Sequence, residues 1–330
     1  MKPEISVITT VINCEKYIEE SVNSISAQSF ENFEHIIVDD GSSDGTAGIL
    51  YRLAEKDKRI KFIELGENLG RIKSLNIALE RSEGEFIAIQ DADDISLPDR
   101  FEKQINYFNE NPECVLLGSD ISVVDQDLNV LSQPVRPETD NEIRFSLLFK
   151  CTLANPSIMY KRDILKKNNI RFEDDFPYAE DFRIFTHIIK HGKAHNLRNR
   201  LVLYRNHISN SSNSNVKIIR EDSAKVVVDN FKEYGIDITI NDAFRIRKLI
   251  SSKFYEDKHL FKDMKLILSI IKAFQAKNGN SGNKEVVNAL KKMLKWPGKK
   301  NTLTNPKFSL FQISILNYYI KQTKLLKSKS

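Results

Sequence analysis

The chain of 330 residues is 41% hydrophobic and 29% charged, a balance typical of a globular protein and not of a disordered one. This length allows one large or two modest domains. The three cysteines, Cys14, Cys114 and Cys151, lie at unrelated spacings, which argues against a disulfide framework or a structural zinc site. We expect no signal peptide, because the first ten residues enter a strand-like run directly, and no membrane span, because no apolar stretch approaches ~20 residues.

Strand-like and helix-like patterns alternate over the first 125 residues. Four apolar, β-branched runs predict strands at 5–12, 33–39, 60–65 and 85–89. Amphipathic stretches predict the helices between them at 15–28, 46–57 and 71–82. Strands that are apolar along their whole length, with helices between them, are typical of a mostly parallel sheet covered on both faces. The sequence therefore predicts an α/β fold.

Acidic residues follow two of these predicted strands. Asp39 and Asp40 end the second strand, and Asp91, Asp93 and Asp94 come just after the fourth. Ligands of such sheets bind at the carboxyl ends of the strands, so we expect one convergent site there. The residues that follow the third strand extend this edge: Asn68, Gly70 and Arg71. Three carboxylates this close raise one another's pKa and need a cationic partner.

The pattern changes twice in the rest of the chain. Residues 126–141 read as turns and loop, followed by mixed elements at 142–150, 155–161, 178–192 and 201–205. An Asn- and Ser-rich stretch then leads into five predicted helices at 217–234, 241–254, 258–277, 283–295 and 308–327. We predict one unit over residues 1–215, with halves that meet near residue 125, and a helical region over 216–330.

The first predicted strand is followed by TTVINCEKY, which contains no glycine. This excludes a Walker or dinucleotide fingerprint at the place where such loops occur, and it disfavours a nucleotidyltransferase for the same reason. A divalent metal held by carboxylates is the other physical means of binding a nucleotide diphosphate. Mg²⁺ and Mn²⁺ take oxygen ligands, which the QDADD segment at 90–94 could provide.

Several ordered motifs between residues 4 and 210 resemble the catalytic domain of family-two glycosyltransferases. They are ISVITTVIN, FEHIIVDDGSSDGT, NLGRIKSLNIAL and GEFIAIQDADDISLPDRFEKQ. The resemblance implies a GT-A fold, with a nucleotide-sugar half over about 1–125 and an acceptor half over about 126–215. It also implies inverting transfer of a sugar, usually from a UDP-sugar, to an acceptor hydroxyl with Mn²⁺ or Mg²⁺ as cofactor.

The resemblance also implies a role for individual residues. Asp40 or its neighbour Asp39 would bind the donor base, and Asp91 would face the ribose or diphosphate. Asp93 would bind the metal, with Asp94 in support. The other positions implied on the nucleotide-sugar side are Thr10, Ile12, Asn68, Gly70 and Arg71.

Three further roles come from the acceptor half. Asp181 in YAEDFRIF matches the position of the catalytic base, and Glu180 is the second candidate. His207 matches a position that contacts the metal or diphosphate, and Arg205 would neutralise phosphate charge. Without the resemblance, Asp181 reads as a carboxylate favoured at a helix start, and His207 as a surface histidine.

The chain departs from the family pattern at two positions. Thr10-Val11-Ile12 stands where relatives carry Pro-x-Tyr. The tyrosine on which the donor base would stack is therefore missing, and the sequence does not fix the identity of the nucleotide. Asn155 stands where relatives often carry a histidine. The alternative to an enzyme is an inactive nucleotide- or sugar-binding module of the same fold.

The charge is unevenly distributed along the chain. Residues 201–330 hold 25 Lys and Arg against 10 Asp and Glu, whereas residues 1–200 hold 25 against 35. Lysines alternate with apolar residues in the stretches 261–277 and 308–330, which is typical of interfacial helices, although a solvated helical bundle explains them too. We expect a cytoplasmic protein of a bacterium that acts on a surface glycan or lipid-linked acceptor, with an anionic membrane face as a possible partner and no nucleic acid.

Overall fold

The computed structural model describes residues 2–207, 215–251, 259–278 and 285–286. The chain divides into two compact units, the first formed by residues 1–140 and 152–222 and the second by 141–151 and 223–330. The predicted helix at 308–327 and almost all of that at 283–295 lie outside the described residues. The boundary at residue 215 stays a prediction.

The first unit contains a mixed sheet, in the strand order β3-β2-β1-β4-β8-β6-β9-β5, with β7 paired to β6. The strands are β1 (Ile5–Val11), β2 (Phe33–Asp39), β3 (Ile60–Glu64), β4 (Phe86–Ile89), β5 (Ile95–Ser96), β6 (Cys114–Val124), β7 (Val130–Ser132), β8 (Met159–Lys161) and β9 (Lys193–Arg205). Strands β1 to β4 are parallel to one another, as predicted. Strand β8 is antiparallel to both β4 and β6, which joins the two halves of the sheet.

Helices flank this sheet and form most of the described part of the second unit. They are α1 (Ile18–Ser26), α2 (Thr46–Lys56), α3 (Arg71–Arg81), α4 (Arg100–Glu110), α5 (Asp140–Leu147), α6 (Arg162–Asn168), α7 (Glu180–Ile188), α8 (Val216–Lys232), α9 (Ile240–Ser251) and α10 (Leu260–Asn278). A 3-10 turn at Asn155–Ser157 precedes β8, and another at Ile189–His191 follows α7.

The core lies on both faces of the parallel strands. Ile5, Val7 and Ala88 pack on one face with Phe101 of α4, and Ile37 packs on the other face in a second cluster. Because helices cover both faces, every residue of β2 and β4 is buried. This confirms the predicted α/β fold.

Helix α4 and strand β6 were not predicted from the sequence, and β9 begins eight residues before its predicted start. The first eight residues of β9, KAHNLRNR, are mostly polar and lack the apolar run by which a strand is recognised. Their pairing with the buried strand β6 makes them a strand. Tertiary pairing therefore overrides local pattern here.

Aromatic rings and a partly buried ion pair stabilise the second unit. The rings of Phe145 and Phe274 lie 5.3 Å apart, and those of Phe149 and Phe231 lie 5.7 Å apart, both edge to face. The guanidinium of Arg245 in α9 donates from Nε to Asp263 Oδ2 in α10 at 3.0 Å. In the part of the chain that the structure describes, no helix is long and apolar enough to cross a membrane.

Candidate active site

The carboxyl ends of the parallel strands bring the predicted acidic residues to one edge of the sheet. Val11 at the end of β1 pairs with Asp39 at the end of β2, and Ile8 pairs with Ile89 at the end of β4. Asp91 follows β4 by two residues. Since parallel strands end at the same edge, the residues beyond them share one surface, which is where ligands of such sheets bind.

The guanidinium of Arg71, at the start of α3, contacts the end of β1, the turn after β4 and the start of α7. Its Nη2 donates to Asp91 Oδ1 at 3.2 Å, and its Nε donates to Glu180 Oε1 at 2.7 Å. Its Nη1 lies 3.4 Å from Thr10 Oγ1, and Asn155 Nδ2 donates to the same oxygen of Asp91 at 3.3 Å. Arg71 thus orients Asp91 and ties the start of α7 to the start of α3.

Asp93 and His207 form the second feature of the site. His207 Nε2 lies 2.9 Å from Asp93 Oδ2, and the imidazole packs on the ring of Tyr17 at 4.7 Å between centroids. Burial and the negative charge of Asp91 raise the pKa of Asp93, while His207 counteracts the rise. Both residues were predicted for the site from the sequence, and the structure brings them together.

Asp94 lies beneath this pair and is fully buried. One carboxylate oxygen accepts a hydrogen bond from the backbone N–H of Arg205 at 2.7 Å, and the other has no hydrogen-bond partner. Burial, followed by the charges of Asp93 and Asp91, raises the pKa of Asp94 well above its usual value. A positive charge near the turn would relieve this excess of carboxylates.

The donor atoms present fit a divalent metal. Asp93 and His207 offer one carboxylate oxygen and one imidazole nitrogen at the surface of the turn, and behind them Asp94 has a buried carboxyl oxygen without a hydrogen-bond partner. Among the described residues, no three acidic, histidine or cysteine side chains form a complete metal cage. Mg²⁺ and Mn²⁺ commonly take one or two protein ligands and complete their shell with phosphate and water oxygens.

Arg205 is buried next to the acidic turn. The residue is 3% exposed, and its guanidinium donates to the backbone oxygens of Asp93 and Gln126 at 2.9 and 2.8 Å. It also donates to Glu20 Oε2 at 2.6 Å and stacks on Tyr17. These bonds direct the guanidinium into the protein, where it supports the turn of Asp93, and its role in neutralising phosphate charge stays a prediction.

The two carboxylates at the end of β2, Asp39 and Asp40, also form hydrogen bonds within the protein. Asp40 accepts hydrogen bonds from the backbone N–H groups of Leu69 and Gly70, at 2.8 and 3.0 Å, and Asp39 accepts from Ser42. Gly41 has a φ of +80°, and a Cβ there would lie 2.6 Å from the backbone of Glu67. These contacts make Asp40 the anchor of the loop that carries Asn68 and Gly70.

Two residues that the sequence analysis did not single out hold the acidic turn from below. Gln90 Nε2 donates to the backbone oxygens of Asp91 and Asp94 at 3.1 and 2.8 Å. Arg100, fully buried, donates to Gln90 Oε1 at 3.2 Å and to the backbone oxygen of Ile89 at 3.0 Å. Burial lowers the pKa of Arg100 to about 9. The local sequence does not distinguish this buried arginine from an exposed arginine at the start of a helix.

The remaining predicted residues lie around this site. Asp181 is the second residue of α7 and half-buried, directly after Glu180. Ile12 follows β1 and is 43% exposed, and Asn68 Oδ1 accepts from the N–H of Gly70 at 3.0 Å. Adjacent helix residues point about 100° apart, so Asp181 and Glu180 face different directions.

A mixed sheet whose parallel strands end at an acidic turn, with a carboxylate–imidazole pair and no glycine-rich loop after its first strand, has the architecture of a GT-A glycosyltransferase. Two solved structures support this. TarS of S. aureus, crystallised with UDP-GlcNAc, superposes with a TM-score of 0.59 at 23% identity, over 89% of this chain and 82% of the other. The mannosyltransferase PcManGT of Pyrobaculum calidifontis, in complex with GDP-Man and Mn²⁺, gives 0.54 at 19% identity, over 100% and 89%. At these identities the likeness shows the fold.

Sequence relatives identify the family. An uncharacterized glycosyltransferase of Haemophilus influenzae is 32% identical over 281 residues, which cover 82% of this chain and 84% of the relative. The family model described as Glycosyl transferase family 2 matches residues 6–168. A putative teichuronic acid biosynthesis glycosyltransferase of Bacillus subtilis, TuaG, is 41% identical over 126 residues, which cover 38% of this chain and 50% of that protein. The chain belongs to glycosyltransferase family 2 and is a glycosyltransferase.

Proposed function

We propose that this glycosyltransferase is metal-dependent and inverting, and that it moves a sugar from a nucleotide sugar to an acceptor hydroxyl. The observation that carries the proposal is the distance of 2.9 Å between Asp93 Oδ2 and His207 Nε2, next to the Arg71–Asp91 pair. An oxygen and a nitrogen ligand at the edge of the sheet suit a divalent ion that also binds a diphosphate. The complex of the structural neighbour PcManGT with GDP-Man and Mn²⁺ supports the same choice.

On the donor side, we propose that Asp91 faces the ribose or diphosphate. Arg71 and Asn155 hold its Oδ1, at 3.2 and 3.3 Å, and thereby fix its orientation. Asp39, Thr10 and Ile12 would border the base, beside the loop that Asp40 holds. A UDP-sugar is our first candidate donor, in agreement with the UDP-GlcNAc bound by TarS. A GDP-sugar is the second candidate, because the other structural neighbour binds GDP-Man.

On the acceptor side, we propose Asp181 as the general base. Its carboxylate would accept the proton of the acceptor hydroxyl as that oxygen forms a bond to the anomeric carbon. The bond from the anomeric carbon to the diphosphate oxygen breaks on the opposite face, and its electron pair leaves with the diphosphate. A single displacement of this kind inverts the configuration. A divalent ion would offset the negative charge of the leaving diphosphate.

The test is release of nucleoside diphosphate from a panel of UDP- and GDP-sugars with Mn²⁺ or Mg²⁺. We expect turnover with at least one donor and its loss when the metal is chelated. Nucleotide binding without turnover of any donor would contradict the proposal and favour the inactive binding module. Turnover that persists after chelation would contradict the metal dependence alone.

We propose surface polysaccharide or lipid-linked oligosaccharide of a bacterium as the acceptor class, made at the cytoplasmic face of the membrane. The named role of the Bacillus subtilis relative and the lysine-rich stretch at 261–277 support this. Flotation of the full chain with vesicles tests the membrane contact. We expect recovery with anionic vesicles that falls at high salt, because Debye screening weakens such attraction. Equal recovery with neutral vesicles would contradict it.

A further inference from the structure

A groove of about 590 Å³ lies along α3, lined by residues that the proposed chemistry does not use. One wall consists of Leu69, which precedes α3, and of Lys73, Asn76, Ile77 and Glu80, which lie on one side of α3. The other wall is the segment 171–175. The groove is therefore formed by one helix face and one loop.

The loop wall is fixed in place. The side chain of Asn76 accepts from the backbone N–H of Phe172 at 3.1 Å and donates to the backbone oxygen of the same residue at 3.0 Å. Arg183 of α7 donates from Nε to Glu173 Oε2 at 3.0 Å. Since the loop is tied to α3 on one side and to α7 on the other, the groove is preformed, which lowers the entropic cost of binding.

Both walls end at the candidate active site. Helix α3 begins at Arg71, and segment 171–175 leads within five residues to Glu180, the first residue of α7. Arg71 and Glu180 are joined by the 2.7 Å hydrogen bond described above. From Lys73 to Glu80 the helix rises about 10 Å, at 1.5 Å per residue. The groove thus extends away from the proposed base. A binding site for the non-reacting part of a substrate would have this course.

The chemistry of the groove suits an uncharged, hydroxyl-rich ligand. Four exposed side chains, Lys73, Glu80, Arg171 and Asp174, form no hydrogen bond or ion pair with any other described residue. They offer ammonium and guanidinium donors together with carboxylate acceptors. A hydroxyl group can accept a hydrogen bond from the former and donate one to the latter. Because Arg183 neutralises Glu173, three further carboxylates, Glu80, Asp174 and Asp175, stand against Lys73 and Arg171, so the groove offers a polyanionic chain no net attraction.

We propose that this groove binds the non-reacting sugar residues of an uncharged acceptor glycan. The proposal rests on the proposed function, because it assigns the acceptor side of the same site. It predicts that an oligosaccharide acceptor is used better than the corresponding monosaccharide, and better than a phosphodiester-linked acceptor.

Kinetics with acceptors of different length test the proposal. In a double variant, Lys73→Ala with Asp174→Ala, the KM for an uncharged oligosaccharide should rise about tenfold or more relative to the KM for the monosaccharide, since two hydrogen bonds are lost. Lys73→Trp, which fills the groove, should raise the same ratio. The matched control is Glu55→Ala with Lys56→Ala on α2, which removes one carboxylate and one lysine outside the groove and should leave the ratio unchanged.

An unchanged ratio in both groove variants, or a wild type that prefers the phosphodiester-linked acceptor, would overturn the proposal. Should the wild type turn over no donor, the proposed function fails, and the groove is then tested by binding alone. Uncharged oligosaccharides on a glycan array should bind the wild type and not the two groove variants. Absence of binding to the wild type would overturn the groove as well.

Discussion

Asp181→Asn should lower the rate of sugar transfer by about 10²–10⁴-fold, the contribution of a positioned general base. Asparagine has the shape of aspartate but cannot accept the proton of the acceptor hydroxyl. Binding of the nucleotide sugar should be retained, since Asp181 lies at the start of α7 and not among the residues proposed for the donor. Product formation at saturating donor, together with calorimetry of donor binding, measures the two effects separately.

Glu180→Gln is the matched control on the neighbouring position. Glu180 accepts from Arg71 Nε at 2.7 Å, and Arg71 also holds Asp91, so this variant should weaken donor binding more than it weakens the chemical step. If Asp181→Asn keeps full activity and Glu180→Gln loses the chemical step, Glu180 is the base. The distinction matters because the two side chains are adjacent in sequence but point in different directions.

Asp93→Ala should abolish the stimulation of activity by Mn²⁺ and lower transfer by about 10²-fold or more, because offsetting the leaving-group charge is worth several kcal/mol. Mn²⁺ binding in the presence of nucleoside diphosphate, followed by electron paramagnetic resonance, gives a readout that does not depend on turnover. His207→Asn should weaken Mn²⁺ binding too, since His207 Nε2 lies 2.9 Å from Asp93 Oδ2.

Asp94→Ala is the contrasting change within the same turn. Asp94 is 1% exposed and accepts from the backbone N–H of Arg205, so its loss should lower the free energy of unfolding by about 1–3 kcal/mol through the buried donor left unpaired. Urea unfolding of the two variants separates the roles. If Asp94→Ala costs as much activity as Asp93→Ala while its stability is unchanged, the proposed division of roles is wrong.

Much of the location of this site follows from local sequence pattern. The apolar runs that form β1, β2 and β4 are recognisable without tertiary information, and parallel strands end at one edge of the sheet. That is why Asp39 and Asp91 could be expected on one surface. The pairing of Asp93 with His207 was accessible only through the family resemblance, since 114 residues separate them.

Other parts of the site carry no local signal. Arg205 resembles an ordinary site arginine in sequence, and only its buried bonds to Asp93 and Gln126 reveal that it supports the turn. Arg100 at the start of α4 resembles a solvated helix residue, yet it is fully buried beneath the acidic turn. Whether an arginine faces a ligand or the protein depends on which acceptors the fold brings within reach.

By itself, the sequence determined the α/β class, the parallel strands and the edge at which the carboxylates gather, because strand periodicity and strand ends are properties of neighbouring residues. The tertiary structure alone decided the partners of each side chain. Arg71 and Glu180 are 109 residues apart, and Arg100 reaches a backbone oxygen 58 residues away. The groove beside α3 is of the same kind, because its two walls are almost 100 residues apart in the chain and are joined by the bonds of Asn76 to Phe172.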